Sequence, residues 1–397
     1  MNTRFSAPPS VPVSPGETGT GEVRRVLMTT HAEGGDVWPS TLELGRALGE
    51  RGVEVTLACL GAPLGPAQWA EVREVPGLSV EQSSWGREGP GAVWEEVEAA
   101  GRWLLELEAR LRPDAVHLNE PCHGALPWAR RPLVVGHACP LARWEAVTGE
   151  PAVERDLRYR WEMTRGLRAA GHVVTASSAM LGALERHYGP LPPASVIPPG
   201  RRPGDFAPGP VREPFVLAVG ELWDEAANLG VLETVASRLD WPVWVAGGQT
   251  HPEGGEVRAR HLRSLGPLGP RELAGYLGRA SLYVAPALHE PSGLRVLEAA
   301  LAGCALVLGD IPSLREVWED AAVFVSPEDP DMLARALRRL VTEPALCGRM
   351  ATLARTRALT LSPERLAESY LGVYATLAHP SGSAAPRVSQ RAGDLTG

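Results

Sequence analysis

Lysine is missing from this chain of 397 residues, since all 39 of its Lys or Arg residues are arginine. The absence excludes mechanisms that need a lysine amine. Among these are Schiff-base chemistry with pyridoxal phosphate and nucleotide hydrolysis at a phosphate-binding loop that ends in lysine. A genome rich in G and C would also favour arginine codons, but the chemical exclusion holds in either case.

Paired cysteines are missing as well. The chain has five cysteines, at positions 59, 122, 139, 304 and 347, and no two of them form a C-x-x-C pair. An odd, scattered set is typical of buried thiols in a reducing compartment rather than of a disulfide framework or a zinc site.

Long apolar runs and an excess of positive charge are also absent. No run reaches the roughly 18 apolar residues of a membrane span, and the first 22 residues, rich in Pro, Ser and Gly, lack the apolar core of a signal peptide. The net charge of −8 argues against nucleic acid or an anionic membrane surface as a partner. We expect a cytoplasmic protein with no integral membrane segment and with disordered ends at 1–21 and 379–397.

Short apolar strands alternate with longer helical segments along most of the chain. Examples are "RRVLMTT", "VEVTLACLG" and "HVVTASS" before residue 197, and "FVLAVG", "ASLYVAPA" and "ALVLGD" after residue 214. A linker rich in Pro, Gly and Arg, residues 197–214, separates the two series. This β-α alternation predicts an α/β protein with two doubly wound parallel sheets, whose strand ends face each other across a cleft.

The segment "YVAPALHEPSGLRVLEAALAGCALVLGDIPSLREVW", residues 283–318, is the most informative. A loop presents His289 and Glu290, and Ser292 and Gly293 precede a helix. Three consecutive backbone N–H groups at that helix start are expected to be able to hold an anion. Glu290 and Glu298 are eight residues apart, a spacing that puts both carboxylates on one side of a helix to bind sugar and ribose hydroxyls. Alternatively, Glu298 lies on a solvated helix face and Glu290 is an ordinary acid of the first turn.

This segment resembles the E-x7-E region of the family-four retaining glycosyltransferases. "HAEGGDVWPSTLELGRAL" resembles the glycine loop of that family, and "PDAVHLN", "VVGHACPLARW", "VIPPG" and "LGDIPSLREVWEDAAVFVSPEDPDMLARAL" follow in the same order and spacing. The resemblance covers roughly residues 24–378. It implies the GT-B fold, with two Rossmann-like domains at 22–205 (acceptor side) and 206–361 (donor side), and a helix at 362–378 that crosses back to the first.

The resemblance also implies roles for individual residues. His137 and Glu290 would lie at the reacting sugar, and Glu298 would contact the ribose. A further set would bind the donor: Gly34, Gly35, Ser292, Gly293, Leu294 and Arg295. Other interpretations remain open, since His137 is also explained as a polar residue at a strand end, the glycines as a plain turn and Arg295 as a surface arginine.

One loop departs from the family. The stretch "FVLAVGELWDEAANLG" has Glu221 and Ala227 where the family usually has an arginine and a lysine that point at the diphosphate. Ser292 replaces a usual aromatic, and Arg295 stands where a small residue is typical. Arg295, or Arg201 and Arg202 in the linker, are candidates to replace the lost cations.

The implied activity is metal-independent, retaining transfer of a sugar from a nucleotide-sugar co-substrate to an unknown acceptor, with no cofactor. Two alternatives remain because of the acidic loop. One is a catalytically impaired homologue that serves as a binding or partner subunit, and the other is an enzyme of the same fold whose donor has no diphosphate. The donor sugar and base, the acceptor and the oligomeric state are beyond the sequence.

Overall fold

The computed structural model describes residues 23–32, 35–89, 92–152, 157–251, 254–255, 257 and 259–378. The predicted disordered ends, 1–21 and 379–397, lie outside the described residues.

The first half of the chain forms a sheet of seven parallel strands in the order β3-β2-β1-β4-β5-β6-β7. The strands are β1 (Arg25–His31), β2 (Glu54–Leu60), β3 (Leu78–Gln82), β4 (Ala115–Leu118), β5 (Leu133–Val135), β6 (His172–Thr175) and β7 (Ala194–Val196). The helices between them are α1 (Val37–Gly49), α2 (Pro66–Arg73), α3 (Trp94–Leu111), α4 (Pro140–Thr148), α5 (Leu157–Ala169) and α6 (Ser178–Tyr188).

The second half forms a sheet of six parallel strands in the order β10-β9-β8-β11-β12-β13. The strands are β8 (Glu213–Val219), β9 (Val243–Ala246), β10 (Leu262–Gly266), β11 (Ala280–Ala285), β12 (Ala305–Gly309) and β13 (Val323–Val325). The helices are α7 (Gly230–Ala236), α8 (Pro270–Arg279), α9 (Leu294–Leu301), α10 (Pro312–Trp318), α11 (Pro330–Thr342), α12 (Pro344–Ala358) and α13 (Pro363–Ala378).

The central strands are apolar and buried on both faces, as parallel strands covered by helices must be. All five residues of β12 are buried, and six of the seven residues of β1 are buried. The prediction of two doubly wound parallel sheets is therefore confirmed. Strands β3 and β10 were not predicted, because both are mostly half-exposed and have polar residues among the apolar ones.

Helix α13 returns to the first sheet after the second is complete. Leu366, Tyr370 and Tyr374 are buried in the same apolar cluster as residues of β1, β2 and α1. The Ser362 hydroxyl accepts a hydrogen bond from the Arg365 amide at 3.4 Å and so caps the start of α13. The residue boundaries assigned to the domains stay a prediction.

All five cysteines are buried and free of disulfides, as their spacing predicted. Over the described residues, no helix combines the length and the apolar character needed to cross a membrane.

Candidate functional site

Each sheet reverses its strand order at one point, and ligands of such sheets bind beyond the carboxyl ends of the strands at that point. In the first sheet the reversal lies between β1 and β4, and in the second between β8 and β11. The loops that follow these strands contain most of the predicted site residues. We call the second of these places, between the loops after β8 and β11, the switch crevice.

Glu290 lies in the loop after β11 and caps the start of α9 with its own carboxylate. Its Oε1 accepts hydrogen bonds from the amides of Ser292 at 3.0 Å and Gly293 at 2.9 Å. The third amide of the group, that of Leu294, donates to the Ser292 hydroxyl at 3.1 Å. The amides of Ser292, Gly293 and Leu294, which lead into α9, therefore already have acceptors from the protein itself.

The structure confirms that Glu290 belongs to the loop after β11 and that a helix follows Gly293, so helical spacing does not relate Glu290 to Glu298. Gly293 adopts the left-handed conformation, with φ of 68°, and α9 begins only at Leu294. Glycine has no Cβ and adopts this conformation without strain. Glu290 consequently belongs to the loop. Burial raises the pKa of its carboxyl group, and the nearby charge of Asp36 raises it further.

Glu298 is fully buried and holds two arginines. Its Oε1 accepts from Arg201 Nε at 3.0 Å, and its Oε2 accepts from a terminal nitrogen of Arg295 at 2.7 Å. Burial opposes the charge of Arg295, but the carboxylates of Glu298 and Asp36 hold the pKa of its guanidinium above the usual range. The predicted contact of Glu298 with a ribose stays a prediction, and in this structure both oxygens have cationic partners.

Arg201 joins the linker to both halves of the protein. It is 6% exposed, and beyond Glu298 its guanidinium donates to the carbonyl oxygen of Pro39 at 2.9 Å and lies 3.5 Å from a carboxylate oxygen of Glu43. Burial raises the pKa of the Glu43 carboxyl group, while the charge of Arg201 lowers it. Arg201 therefore neutralises one buried carboxylate from α1 and one from α9.

A second contact between the halves comes from Asp36, at the start of α1. Its carboxylate accepts a hydrogen bond from the Ser292 hydroxyl and lies 3.7 Å from Arg295 Nε. Ser292 and Arg295 are the two residues whose types depart from the family in this segment. Both departures thus face the glycine loop of the first half.

His137 follows β5 and lies beside Asn119, which follows β4. Asn119 donates through its side-chain amide to the carbonyl oxygen of Thr29, so its carbonyl oxygen accepts from His137 Nε2 at 2.6 Å. Burial, with the proximity of His31 as a second cause, lowers the pKa of His137 to about 4. His137 is therefore neutral at pH 7, with Nε2 protonated and Nδ1 in the acceptor form.

The Asn119 carbonyl oxygen also accepts from His117 Nε2 at 3.3 Å, and Tyr374 in α13 donates its hydroxyl to His117 Nδ1 at 2.7 Å. Burial lowers the pKa of His117 to about 3, with His137 as a second cause. A buried hydrogen-bond network therefore connects the last helix to His137 and fixes its tautomer.

One pocket of about 50 Å³ joins the two halves at this point. His117, Asn119 and His137 line it from the first half, and Ser292 lines it from the second. The structure thus places His137 and Ser292 in the lining of the same pocket. Gly35 lies at the start of α1 with φ of 68°, and Gly34 lies outside the described residues.

The side chains of the acidic loop after β8 lie in different surroundings. The Glu221 carboxylate lies so close to Gly248, after β9, that a Cβ there would overlap it, which places Glu221 on the side of β8 opposite to β11. Ala227 packs near Gly220. Asp224 accepts from the amide of Ala226 at 3.0 Å, turning the loop back on itself.

An arginine from the first half reaches this loop. Arg143, in the first turn of α4, donates to the Asp224 carboxylate at 2.5 Å. Burial, with the charge of Arg143 as a second cause, lowers the pKa of the nearby His289 to about 4. Sequence reasoning missed Arg143, Asp36 and Asn119. For Arg143 the only signal was its place six residues after His137.

Comparisons with known proteins agree with this geometry. The family model described as "Glycosyl transferase 4-like domain" matches residues 35–200, and the one described as "Glycosyl transferases group 1" matches residues 213–343. A D-inositol 3-phosphate glycosyltransferase from Nocardiopsis dassonvillei is 27% identical over 390 residues, which cover 85% of this chain and 89% of the relative.

Solved structures share the fold. Sucrose-phosphate synthase from Thermosynechococcus elongatus superposes with a TM-score of 0.75 at 18% identity, covering 89% of this chain and 99% of that one. Anabaena Alr3699/HepE in complex with UDP-glucose superposes with a TM-score of 0.70 at 13% identity, covering 89% and 100%. The fold and site define a GT-B glycosyltransferase. The chain belongs to the family-four glycosyltransferases, as its motifs predicted.

Proposed function

We propose that this protein is a retaining glycosyltransferase that works without a metal ion or cofactor. It takes a sugar from a nucleotide sugar held by the second half of the chain and transfers it to an acceptor bound by the first half. The observation that carries the proposal is the pocket in which His137 and Asn119 face Ser292, at the carboxyl ends of both sheets.

In this reaction the bond between the sugar's anomeric carbon and the phosphate oxygen breaks, and its electron pair stays on the nucleoside diphosphate. An acceptor oxygen forms its bond to the same face of the sugar, and the acceptor's proton passes to the departing phosphate. Glu290 is placed to accept from a sugar hydroxyl, since it lies beside the pocket residue Ser292. Neutral His137 presents Nδ1 as an acceptor to a second hydroxyl.

The structures and relatives suggest which compounds to test first. Two solved neighbours with the same fold contain UDP-glucose or UDP and glucose, so UDP-sugars are the first donor class. Several relatives are D-inositol 3-phosphate glycosyltransferases, which makes a phosphorylated polyol the first acceptor class.

One observation favours the second candidate, a homologue that binds a sugar or a partner protein but does not transfer. The amides of Ser292 and Gly293 are held by Glu290, and Glu298 is held by two arginines. A donor must compete with each of these contacts. The third candidate is an enzyme of the same fold whose donor lacks a diphosphate. Such an enzyme would not need the amides of Ser292 and Gly293 to bind its donor.

The test is release of nucleoside diphosphate from UDP-, GDP- and ADP-sugars, with EDTA present and with inositol phosphate as the trial acceptor. We expect release with one of these donors, an unchanged anomeric configuration in the product by NMR, and about a 100-fold loss of turnover in Glu290→Gln. Glu328→Gln changes an exposed carboxylate of the same half and should leave turnover unchanged.

Each part of the proposal has its own contrary result. Absence of both binding and release with every nucleotide sugar would refute the donor class and favour the other two candidates. Activity lost with EDTA and restored by a divalent ion would refute metal independence, and an inverted product would refute retention. Full turnover in Glu290→Gln would remove Glu290 from the site.

A further inference from the structure

The switch crevice has an acidic loop on one side. A cation from the first half of the protein reaches this loop. Arg143 donates to Asp224, in the loop after β8, at 2.5 Å, and its charge acts on His289, in the loop after β11. The two loops are themselves joined, since the amides of Leu288 and His289 donate to the carbonyl oxygen of Ala226 at 2.9 and 3.3 Å. The Arg143 guanidinium therefore lies at the mouth of the crevice.

The stability of its own helix does not explain this arginine. Arg143 lies in the first turn of α4, where the positive end of the helix dipole disfavours a cation. Its side chain is 46% exposed and that of Asp224 is 31% exposed, so the pair is solvated and contributes little to folding. The pair can open at small cost and let the arginine turn to another anion.

The other candidate cations are not free in this way. Arg201 and Arg295 both hold Glu298, a carboxylate with no exposed surface. If either turned to a ligand, it would leave a buried negative charge without one of its two partners, which is far more costly than opening a solvated pair. Arg202 pairs with Glu50, directly after α1, on the first half of the protein.

We propose that Arg143 binds the diphosphate of the donor in the switch crevice, replacing from the opposite half the cations that the loop after β8 lacks. This inference rests on the proposed function. When a donor enters, Arg143 exchanges the Asp224 carboxylate for phosphate oxygens. During transfer the anomeric carbon–oxygen bond breaks and its electron pair moves to the diphosphate, and Arg143 stabilises the added charge.

The test measures binding of UDP, GDP and ADP by calorimetry to wild type and three variants. Arg143→Ala should weaken binding of the preferred diphosphate at least 10-fold, since a charge-assisted contact to phosphate is lost. Asp224→Asn should strengthen it about 3- to 10-fold, because Arg143 no longer has a competing carboxylate. Arg271→Ala breaks another solvated pair between the halves, with Glu74 at 2.7 Å, and should leave binding unchanged.

The opposite signs separate ligand binding from a merely structural bridge. If Arg143 only holds the halves together, Arg143→Ala and Asp224→Asn break the same pair and shift the dissociation constant in the same direction, which would overturn the inference. Diphosphate binding by Arg143→Ala within twofold of wild type would overturn it as well. If Arg143→Ala does not fold, the Asp224→Asn variant tests the inference alone. Diphosphate binding that is unchanged or weakened in Asp224→Asn would then overturn the inference. Wild type that binds none of the three diphosphates would refute the proposed function itself.

Discussion

Replacing Arg201 by methionine should destabilise the protein strongly, although the residue lies in a linker. Its guanidinium is buried between Glu298, which has no exposed surface, and Glu43, which is 4% exposed. Methionine preserves much of the apolar stem but removes the charge and all donors. The change leaves two buried carboxylates with fewer partners.

The structure sets the size of the effect. Removal of one partner of a buried ion pair costs about 3 to 5 kcal/mol, since an uncompensated charge stays in a poorly solvated place. Glu298 keeps Arg295 at 2.7 Å and Glu43 keeps Arg202 at 3.9 Å, so part of the compensation survives. The hydrogen bond to the carbonyl oxygen of Pro39 is lost outright. We therefore expect the lower end of the range, about 3 kcal/mol.

Urea unfolding followed by tryptophan fluorescence measures the difference, since the chain has 12 tryptophans. Arg271→Met is the matched control, because its pair with Glu74 has side chains that are 89% and 54% exposed and should contribute less than about 1 kcal/mol. A loss below 1 kcal/mol in Arg201→Met, equal to that of the control, would show that the buried cluster is not needed for stability.

Two further predictions concern the first half. Burial raises the pKa of Glu120 from 4.5 to about 8, so folded protein keeps a proton that the unfolded chain releases, and stability falls as pH rises through that window. By urea unfolding, Glu120→Gln should thus be roughly 2 to 5 kcal/mol more stable than wild type at pH 9 and equal to it near pH 4.5. The control Glu54→Gln changes an exposed carboxylate and should match wild type at both pH values. Equal stability of Glu120→Gln and wild type at pH 9 would contradict the burial argument. Gly166→Ala places a Cβ onto the carbonyl oxygen of Pro121 and should lower the free energy of unfolding by about 3 kcal/mol. The control Gly182→Ala has open space around it and should be neutral or stabilising. An unchanged free energy of unfolding in Gly166→Ala would mean that the backbone moves to relieve the contact at no cost.

The fold was predictable because its signal is local. A buried parallel strand such as β12 is continuous in apolar residues, and the helix that follows it begins with a proline. The same locality places Glu290 and His137 at strand ends, since the carboxyl ends of parallel strands meet at one edge. Edge strand β3 escaped prediction because its residues are mostly half-exposed and carry little apolar pattern.

The partners of the site residues were not predictable, because they come from distant parts of the chain. Arg201 and Glu298 are 97 residues apart, and Asp36 and Ser292 are 256 apart. Sequence reasoning treated Arg201 and Arg295 as candidates to replace the lost cations, without a way to see that Glu298 holds both. It placed Ser292 and Gly293 before a helix, as the structure does, but it could not show that Gly293 adopts the left-handed conformation or that the Glu290 carboxylate accepts from its amide.

The acidic loop after β8 has a physical explanation that its composition concealed. Glu221 lies on the β9 side, and Asp224 is paired with Arg143, so neither presents an unopposed charge to the switch crevice. A cation within the loop would bind phosphate whatever the position of the first half of the protein relative to the second. Arg143 is attached to α4, so it reaches the crevice only when the two halves are arranged as they are here. By this inference, loss of the loop's own cations makes diphosphate binding depend on closure, and the energy of closure enters the donor affinity directly.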